Sequence, residues 1–237
     1  MDLKRETLVI VPTYNESKNV SNLLNLFVES SFDVLIIDDN SPDGTSEIVK
    51  NYILEYSNIN LLERSGKLGL GSAYRDGFNW ALERGYKNIV EMDADFSHSF
   101  SDLSNLDNYK KDYDLVIGSR YVSGGKTEGW SRGRKLLSTT ANKIAKTLLN
   151  IKVNDMTSGF RIYSSECLES INYQNTKSNG YAFQIEMTLL VSNNNRSIKE
   201  IPITFYERSM GDSKMSKAIV FEAVKFLLTN MFNKRTS

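Results

Sequence analysis

Short apolar segments alternate with helical segments along the first half of the chain, and this alternation limits the possible fold more than any other feature. The apolar segments fall at residues 7–11, 34–37, 60–62, 89–92 and 115–117, and helical segments ending near residues 30, 57 and 85 follow the first three. Continuous apolar runs are typical of strands that are buried on both faces of a parallel sheet. The sequence therefore predicts an α/β fold with a mostly parallel central sheet flanked by helices.

A polar cluster follows each of these apolar segments directly. The clusters span residues 12–16, 38–45, 64–71, 93–98 and 118–121. Ligands of open parallel sheets bind outside the carboxyl ends of the strands. We therefore predict that the five clusters converge on one binding crevice.

The second half of the chain is less regular. Apolar spacing predicts helices at about 135–150 and 182–191, and a strand at 198–205 that Pro202 places at a sheet edge. A further helix with an apolar stripe is expected at 216–232. We divide the chain into a main α/β domain at 1–215 and a C-terminal amphipathic helix at 216–237.

Composition excludes some functional classes. Lysine plus arginine equals aspartate plus glutamate at 29 each, so the net charge gives no indication of a nucleic-acid partner. The single cysteine, Cys167, cannot form an intrachain disulfide and fits a reducing compartment. No apolar run reaches the roughly 18 residues of a membrane span, and the charged start is unlike a signal peptide. We expect a cytoplasmic protein.

Asp93 and Asp95 form the most informative polar pair. Carboxylates two residues apart on extended chain point to the same side, where their charges repel. A divalent cation resolves that repulsion, and Mg²⁺ typically takes one or two carboxylates and leaves its other positions to water and substrate phosphates. The pair predicts a metal–diphosphate site, although an acidic turn is the alternative for an isolated pair.

The other clusters suggest a nucleotide and its phosphates. Asp39 can accept hydrogen bonds from a base or ribose, Tyr14 can stack on a base, and Glu16 can bind a base or ribose edge. The glycines after Lys67 allow close backbone approach, but the Walker ending is absent. Basic residues in distinctive segments could bind phosphate oxygens as fork-like donors; they are Arg120, Arg134, Arg161, Arg208 and Lys214. His98 either orients the metal loop or only packs beside it.

These segments together resemble the family 2 glycosyltransferases, and most closely the polyprenol-phosphate (dolichol-phosphate) mannose synthases. The resemblance covers about residues 7–230. It rests on P-T-Y-N-E (12–16), D-D-N-S-P-D-G-T (38–45), K-L-G-L-G-S-A-Y (67–74), D-A-D-F-S-H (93–98), G-S-R-Y (118–121), T-S-G-F-R (157–161), G-Y-A-F-Q-I-E (180–186) and E-R-S-M-G-D-S-K-M (207–215).

The resemblance implies a GT-A fold, a GDP-mannose donor, Mg²⁺ or Mn²⁺, and a polyprenyl or dolichyl monophosphate acceptor. Asp93 and Asp95 would bind the metal, and Ala94 would line the donor site. The guanosine would be held by Pro12, Tyr14, Glu16, Ile37 and Asp39. The donor phosphates would be covered by Arg208 and Lys214, and the acceptor phosphate would be received by Arg120, Arg134 and Ser138. Asp155 would lie near the transferred sugar.

Some features depart from the family pattern. Ser97 stands where some members have a glutamine that binds the metal, and Phe100 replaces a common proline. Many relatives carry membrane-spanning helices after the catalytic domain, and none is expected here. The tail at 216–237 could lie on a membrane, bind a small membrane-spanning subunit, or pack on its own domain. The expected location is the cytoplasmic face of a membrane.

Three alternatives remain open on the sequence. A UDP-sugar, such as UDP-glucose, could replace GDP-mannose as the donor of a polyprenyl-phosphate transferase. A phosphoryl-receiving signalling domain also gathers acidic residues and a lysine at strand ends, but it is about half as long. A non-catalytic nucleotide-binding subunit of a membrane complex would have no need of both metal carboxylates.

Overall fold

The computed structural model describes residues 6–207 together with Phe226, Leu227 and Thr229. Nine strands lie in this part of the chain. They are β1 (Thr7–Thr13), β2 (Asp33–Asp38), β3 (Ile59–Glu63), β4 (Asn88–Glu91), β5 (Leu115–Ser119), β6 (Lys126–Glu128), β7 (Arg161–Ser164), β8 (Ile198–Pro202) and β9 (Thr204–Tyr206).

Seven α-helices connect these strands within residues 6–207. They are α1 (Ser17–Phe27), α2 (Thr45–Glu55), α3 (Leu70–Glu83), α4 (Phe100–Asp107), α5 (Arg132–Leu149), α6 (Ser165–Ser170) and α7 (Gly180–Asn193), with a 3₁₀ turn at Tyr173–Asn175.

The main sheet has seven strands in the order β3-β2-β1-β4-β7-β5-β8. All neighbouring pairs are parallel except β4 with β7 and β5 with β7. The predicted mostly parallel sheet is therefore confirmed. Because the single reversed strand lies between β4 and β5, the loop that leads into β7 reaches the edge where the polar clusters are expected.

Successive strand residues alternate between two apolar layers, as pleated backbone requires. Leu8 and Ile10 of β1 face a cluster that includes residues of α3 and α7, whereas Val9 and Val11 face one that includes residues of α1 and α4. Both faces of the sheet are thus covered, which accounts for the continuous apolar strands.

The predicted strand at 198–205 is two strands. It breaks at Ile203, whose amide donates to the Ser119 carbonyl and whose carbonyl accepts from the Lys126 amide. β8 ends at Pro202 on the edge of the main sheet, as predicted, and β9 pairs with β6 in a small separate sheet. This second sheet lies beside the polar edge.

Most of the predicted C-terminal helix at 216–232 lies outside the described residues. Leu227 is buried in the cluster on the α3 and α7 side of the sheet, and Phe226 packs against that cluster. This turn therefore packs on its own domain. Among the helices that the structure describes, none has the length and apolar character needed to cross a bilayer.

Candidate active site

The loops after β1 and β2 are bound to each other. The Asn15 amide donates to the Ser41 hydroxyl at 3.0 Å, and the Glu16 amide donates to the Thr45 hydroxyl at 3.0 Å. Asn15 adopts a positive φ of 57°, an uncommon conformation that asparagine tolerates. The first two predicted clusters therefore form one continuous wall.

Asp39 is held in this wall by Arg64, a residue that the sequence analysis did not single out. Nη1 of Arg64 lies 2.6 Å from Oδ1 of Asp39, and the same guanidinium donates to the Ser72 hydroxyl on α3. Burial raises the pKa of Asp39 above its usual range, although the charge of Arg64 opposes that shift. Arg64 directly follows β3 and opens the glycine-rich cluster, so its position was a signal that could have identified it.

Lys67 lies in the loop that begins with Arg64, and it contacts Tyr14 in the loop after β1. Nζ of Lys67 lies 4.2 Å from the centre of the Tyr14 ring. Ile37, predicted to hold the guanosine, has a fully buried side chain that packs against Gly77 of α3. Only the main chain of Ile37 could therefore contact a nucleoside.

The acidic loop follows β4. Asp95 is buried and its Oδ1 accepts the Ser97 amide at 3.0 Å, while the side chain of Asp93 is 35% exposed. Phe96 lies between them and the histidine with a φ of 60°, a strained conformation for a bulky residue. Strain of this kind is typical of functional loops that the surrounding structure holds in place.

His98 is both packed and close to the metal loop. Its ring stacks on Phe160 at 4.7 Å between centroids, and its Nε2 lies 3.3 Å from Oδ2 of Asp93. Gly159 is adjacent: a Cβ on this residue would lie 3.8 Å from Asp93. The loop before β7 therefore lies against the acidic loop.

Arg161 does not belong to the crevice. It is completely buried and donates to the carbonyls of Met156, Ser158 and Gln184, at 2.7 to 3.0 Å. It stands opposite Glu91 in the β4–β7 register. Burial raises the pKa of Glu91 to about 7, although the Arg161 charge opposes the shift. Arg161 fixes the loop before β7 and is not available to a phosphate.

Arg120 and Arg134 are the other two predicted arginines that the structure describes, and both lie beside Trp130. The guanidinium carbon of Arg120 lies 5.5 Å from the Trp130 ring centre, and that of Arg134 lies 4.1 Å from it. Arg120 also lies 5.4 Å from the Phe205 ring, on which the His98 ring packs edge-on. The arginines and the acidic loop therefore share one aromatic neighbourhood at the polar edge.

Each of these arginines already has a carboxylate partner. Arg120 pairs with the fully buried Asp155, and Arg134 pairs with Glu207 at 2.8 Å. The Tyr121 hydroxyl donates a 2.7 Å hydrogen bond to the Ser138 hydroxyl of α5, and the Tyr121 ring centre lies 5.3 Å from the Arg120 guanidinium carbon. The aromatic residues Trp130 and Phe205 were not predicted to belong to the site. Arg208 and Lys214, which were, lie outside the described residues.

The sequence and fold are similar to those of known glycosyltransferases. The family model described as "Glycosyl transferase family 2" matches residues 8–171. The polyprenol monophosphomannose synthase of Mycolicibacterium smegmatis is 43% identical over 224 residues, which cover 93% of this chain and 84% of that protein. The undecaprenyl-phosphate mannosyltransferase of Micrococcus luteus is 42% identical over 219 residues, which cover 92% of this chain and 90% of that protein.

Solved structures share the fold at lower identity. Glucosyl-3-phosphoglycerate synthase from Mycobacterium tuberculosis, in complex with Mn²⁺ and UDP-glucose, superposes with a TM-score of 0.68 at 18% identity, covering 96% of this chain and 79% of that one. The mannosyltransferase PcManGT from Pyrobaculum calidifontis, in complex with GDP-Man and Mn²⁺, gives 0.60 at 18% identity, covering 98% of this chain and 64% of that one. The predicted GT-A fold is confirmed, and the chain belongs to glycosyl transferase family 2.

Proposed function

We propose that this chain transfers mannose from GDP-mannose to a polyprenyl monophosphate and inverts the anomeric carbon. The observation that carries the proposal is that one sheet edge holds a paired-aspartate loop and, around Trp130, two arginines (Arg120 and Arg134) on separate segments. Such an edge offers separate positions for two phosphate-bearing substrates. The names of the Mycolicibacterium and Micrococcus relatives support this acceptor and this sugar.

The nucleoside would bind in the wall formed by the loops after β1 and β2. Tyr14 offers a ring for stacking, and Lys67 beside it supplies a positive charge. Asp39, fixed by Arg64, offers a carboxylate oxygen to a base or ribose donor. Pro12, Glu16 and the main chain of Ile37 would complete the pocket.

Asp93 and Asp95 fit a divalent cation. Carboxylate oxygens suit Mg²⁺ and Mn²⁺, and Asp95 is oriented by the Ser97 amide. Within residues 6–207, no three His, Cys, Asp or Glu side chains form a metal cluster, so the donor diphosphate and water would supply the remaining ligands. The cation would neutralise charge on the departing diphosphate. Ala94, between the two aspartates, would line the donor site.

Arg120, Arg134 and Ser138 would receive the acceptor phosphate. A phosphate monoester is largely ionised near neutral pH, because its second pKa is about 6. Its oxygen is therefore already a nucleophile, and the reaction needs no general base. The arginines reduce the repulsion between the acceptor and donor anions.

In the reaction, a phosphate oxygen of the acceptor forms a bond to the anomeric carbon of mannose. The bond from that carbon to the β-phosphate oxygen breaks, and its electron pair leaves with GDP. Arg208 and Lys214 would cover the donor phosphates and stabilise this charge. Their part in the proposal rests on the motif alone.

An exposed apolar surface on α5 supports a lipid substrate. Leu136, Leu137 and Ile144 are 69%, 59% and 48% exposed, and they lie on the helix that carries Arg134. Exposed leucines beside basic side chains suit a membrane surface with anionic headgroups. Peripheral membrane contact would bring the acceptor phosphate to Arg134. The tail at 216–237 could add to this contact or bind a membrane-anchoring subunit.

The test is metal-dependent transfer of labelled mannose from GDP-mannose to a short polyprenyl phosphate, with UDP-glucose in a parallel reaction. We expect transfer from GDP-mannose only, and its loss in Asp95→Asn. Glu47→Gln, an exposed carboxylate on α2, is the matched control. Transfer from UDP-glucose alone would show that the donor is UDP-glucose and would contradict the proposed donor. Nucleotide binding without transfer from either donor would indicate a non-catalytic subunit.

A further inference from the structure

The carboxylate of Glu200 on β8 accepts four hydrogen bonds close to the Arg120–Asp155 ion pair. Oε1 accepts the Ser119 hydroxyl at 2.7 Å and the Asp155 amide at 2.9 Å. Oε2 accepts the Asn154 amide at 2.8 Å and the Asn154 side-chain nitrogen at 2.9 Å. A carboxylate can accept about four hydrogen bonds, so these partners use its capacity.

These bonds hold a segment that has no regular structure of its own. Asn154 and Asp155 lie between α5 and β7, outside every helix and strand. Backbone amides in such a segment need partners from elsewhere when they are buried. Glu200 supplies one carboxylate to two consecutive amides and thereby fixes the direction in which the Asp155 side chain leaves the backbone.

Asp155 in turn fixes Arg120. Its Oδ2 accepts the Arg120 amide at 2.9 Å and Nε at 2.7 Å, and its Oδ1 accepts Nη2 at 2.6 Å. Asp155 is fully buried and Arg120 is nearly so. The guanidinium plane is therefore set by Asp155, and the position of Asp155 is set by Glu200.

We infer that Glu200 is a positioning residue for the acceptor phosphate, acting through Asp155 on Arg120. This inference rests on the proposed function, in which Arg120 contacts that phosphate. Glutamine is a poor substitute, because its amide nitrogen would face hydrogen-bond donors. Glu200→Gln would let Arg120 rotate and would weaken use of the acceptor more than binding of the donor.

The experiment measures kinetic constants and equilibrium binding for the full chain. For Glu200→Gln, we expect kcat/KM for the polyprenyl phosphate to fall by about tenfold or more, while the GDP Kd stays within about twofold. Binding of citronellyl phosphate, a short isoprenyl phosphate, should weaken in parallel. Glu166→Gln, an exposed carboxylate on α6, should leave all of these values unchanged.

A double-mutant cycle distinguishes an effect that acts through Arg120 from a general loss of structure. In an Arg120→Ala background, Glu200→Gln should change kcat/KM by no more than about twofold, because residues that act as a unit are not additive. Additive effects, an equal loss of GDP binding, or unchanged acceptor kinetics would overturn the inference.

Stability is checked by thermal unfolding of each variant. If Glu200→Gln is not folded at the assay temperature, Ser119→Ala carries the comparison, because it removes one of the four hydrogen bonds to Glu200. It also removes the 3.3 Å hydrogen bond that the Tyr121 amide donates to the Ser119 hydroxyl. We then expect a fall of about threefold in kcat/KM for the acceptor, and an unchanged value would overturn the inference. A wild-type chain that binds citronellyl phosphate but transfers no mannose would contradict the proposed function instead, and the binding comparison would still test Glu200.

Discussion

Arg120 and Asp155 form a two-pronged ion pair, with Nε 2.7 Å from Oδ2 and Nη2 2.6 Å from Oδ1. Burial of Asp155 favours the neutral acid, yet the adjacent Arg120 charge and hydrogen bonds lower its pKa below the usual range. Asp155 therefore stays ionised and holds the guanidinium of Arg120 in one plane. An arginine so fixed is prepared for a phosphate before that phosphate arrives.

Replacing Asp155 by asparagine should damage both stability and transfer. Asp155→Asn leaves a buried guanidinium without its counter-charge, which typically costs about 3 kcal/mol of unfolding free energy or more. We expect transfer to fall by about tenfold or more, with the GDP Kd nearly unchanged. Urea unfolding and steady-state kinetics measure the two effects. Unchanged kinetics in a destabilised variant would mean that the pair has only a structural role.

Arg134 should affect use of the acceptor more than binding of the donor. Its guanidinium lies over Trp130 and pairs with Glu207, so Arg134→Ala removes a charge from the acceptor side of the site. We expect the KM for polyprenyl phosphate to rise by about tenfold while GDP-mannose binding persists. Arg132→Ala, an exposed neighbour on α5, is the control. An equal loss of donor binding would contradict the assignment.

Arg64 should be required for nucleotide binding. Arg64→Met removes the partner of buried Asp39 and frees the carboxylate to rotate or to take up a proton. We expect the GDP Kd, measured by calorimetry, to rise by about tenfold. The control is Arg84→Met, which removes a more exposed arginine that lies over Trp80. Equal affinities in wild type and Arg64→Met would contradict a role for the Arg64–Asp39 pair in nucleotide binding.

Titration of Glu91 should lower the free energy of unfolding as the pH rises. Its folded pKa is raised from 4.5 to about 7 by burial, so between these values the folded chain keeps a proton that the unfolded chain has lost. Raising pH through that window therefore favours unfolding, by up to roughly 3 kcal/mol. Urea unfolding in a chelating buffer at about pH 5 and about pH 8 measures this change in the free energy of unfolding. The glutamine of Glu91→Gln cannot titrate, so this variant should not lose stability in the same way. If its unfolding free energy depends on pH as that of the wild type does, the prediction is contradicted.

Gly71 should not tolerate a side chain. A Cβ at this position would lie 2.5 Å from the Ser178 carbonyl oxygen and 2.9 Å from the Phe183 ring. Gly71→Ala must push α3 away from the start of α7, and we expect it to lower the unfolding free energy by about 2 kcal/mol. Gly66→Ala, where no atom lies within 4 Å, should be nearly neutral. Equal stability of both variants would contradict the close packing.

The apolar runs predicted the strands of the parallel part of the sheet with small errors at their ends. Strand β1 extends to Thr13, and β5 extends to Ser119. The added residues, Pro12-Thr13 and Gly118-Ser119, belong to the clusters that the sequence pattern assigned to loops. The short reversed strand β7 was not predicted, because four residues carry little periodicity and its pairing partners are distant in sequence.

The sequence by itself determined the fold class and the sheet edge at which the polar clusters meet, and it predicts a metal-binding role for the acidic loop. This was possible because polar clusters follow parallel strands, and those strands all end at the same edge. Only the tertiary structure decided which arginines face that edge. Arg161 is buried beneath the edge, whereas Arg120 and Arg134 lie beside Trp130. Such environments depend on contacts between distant segments, as between Arg134 and Glu207, 73 residues apart, and local patterns do not encode these contacts.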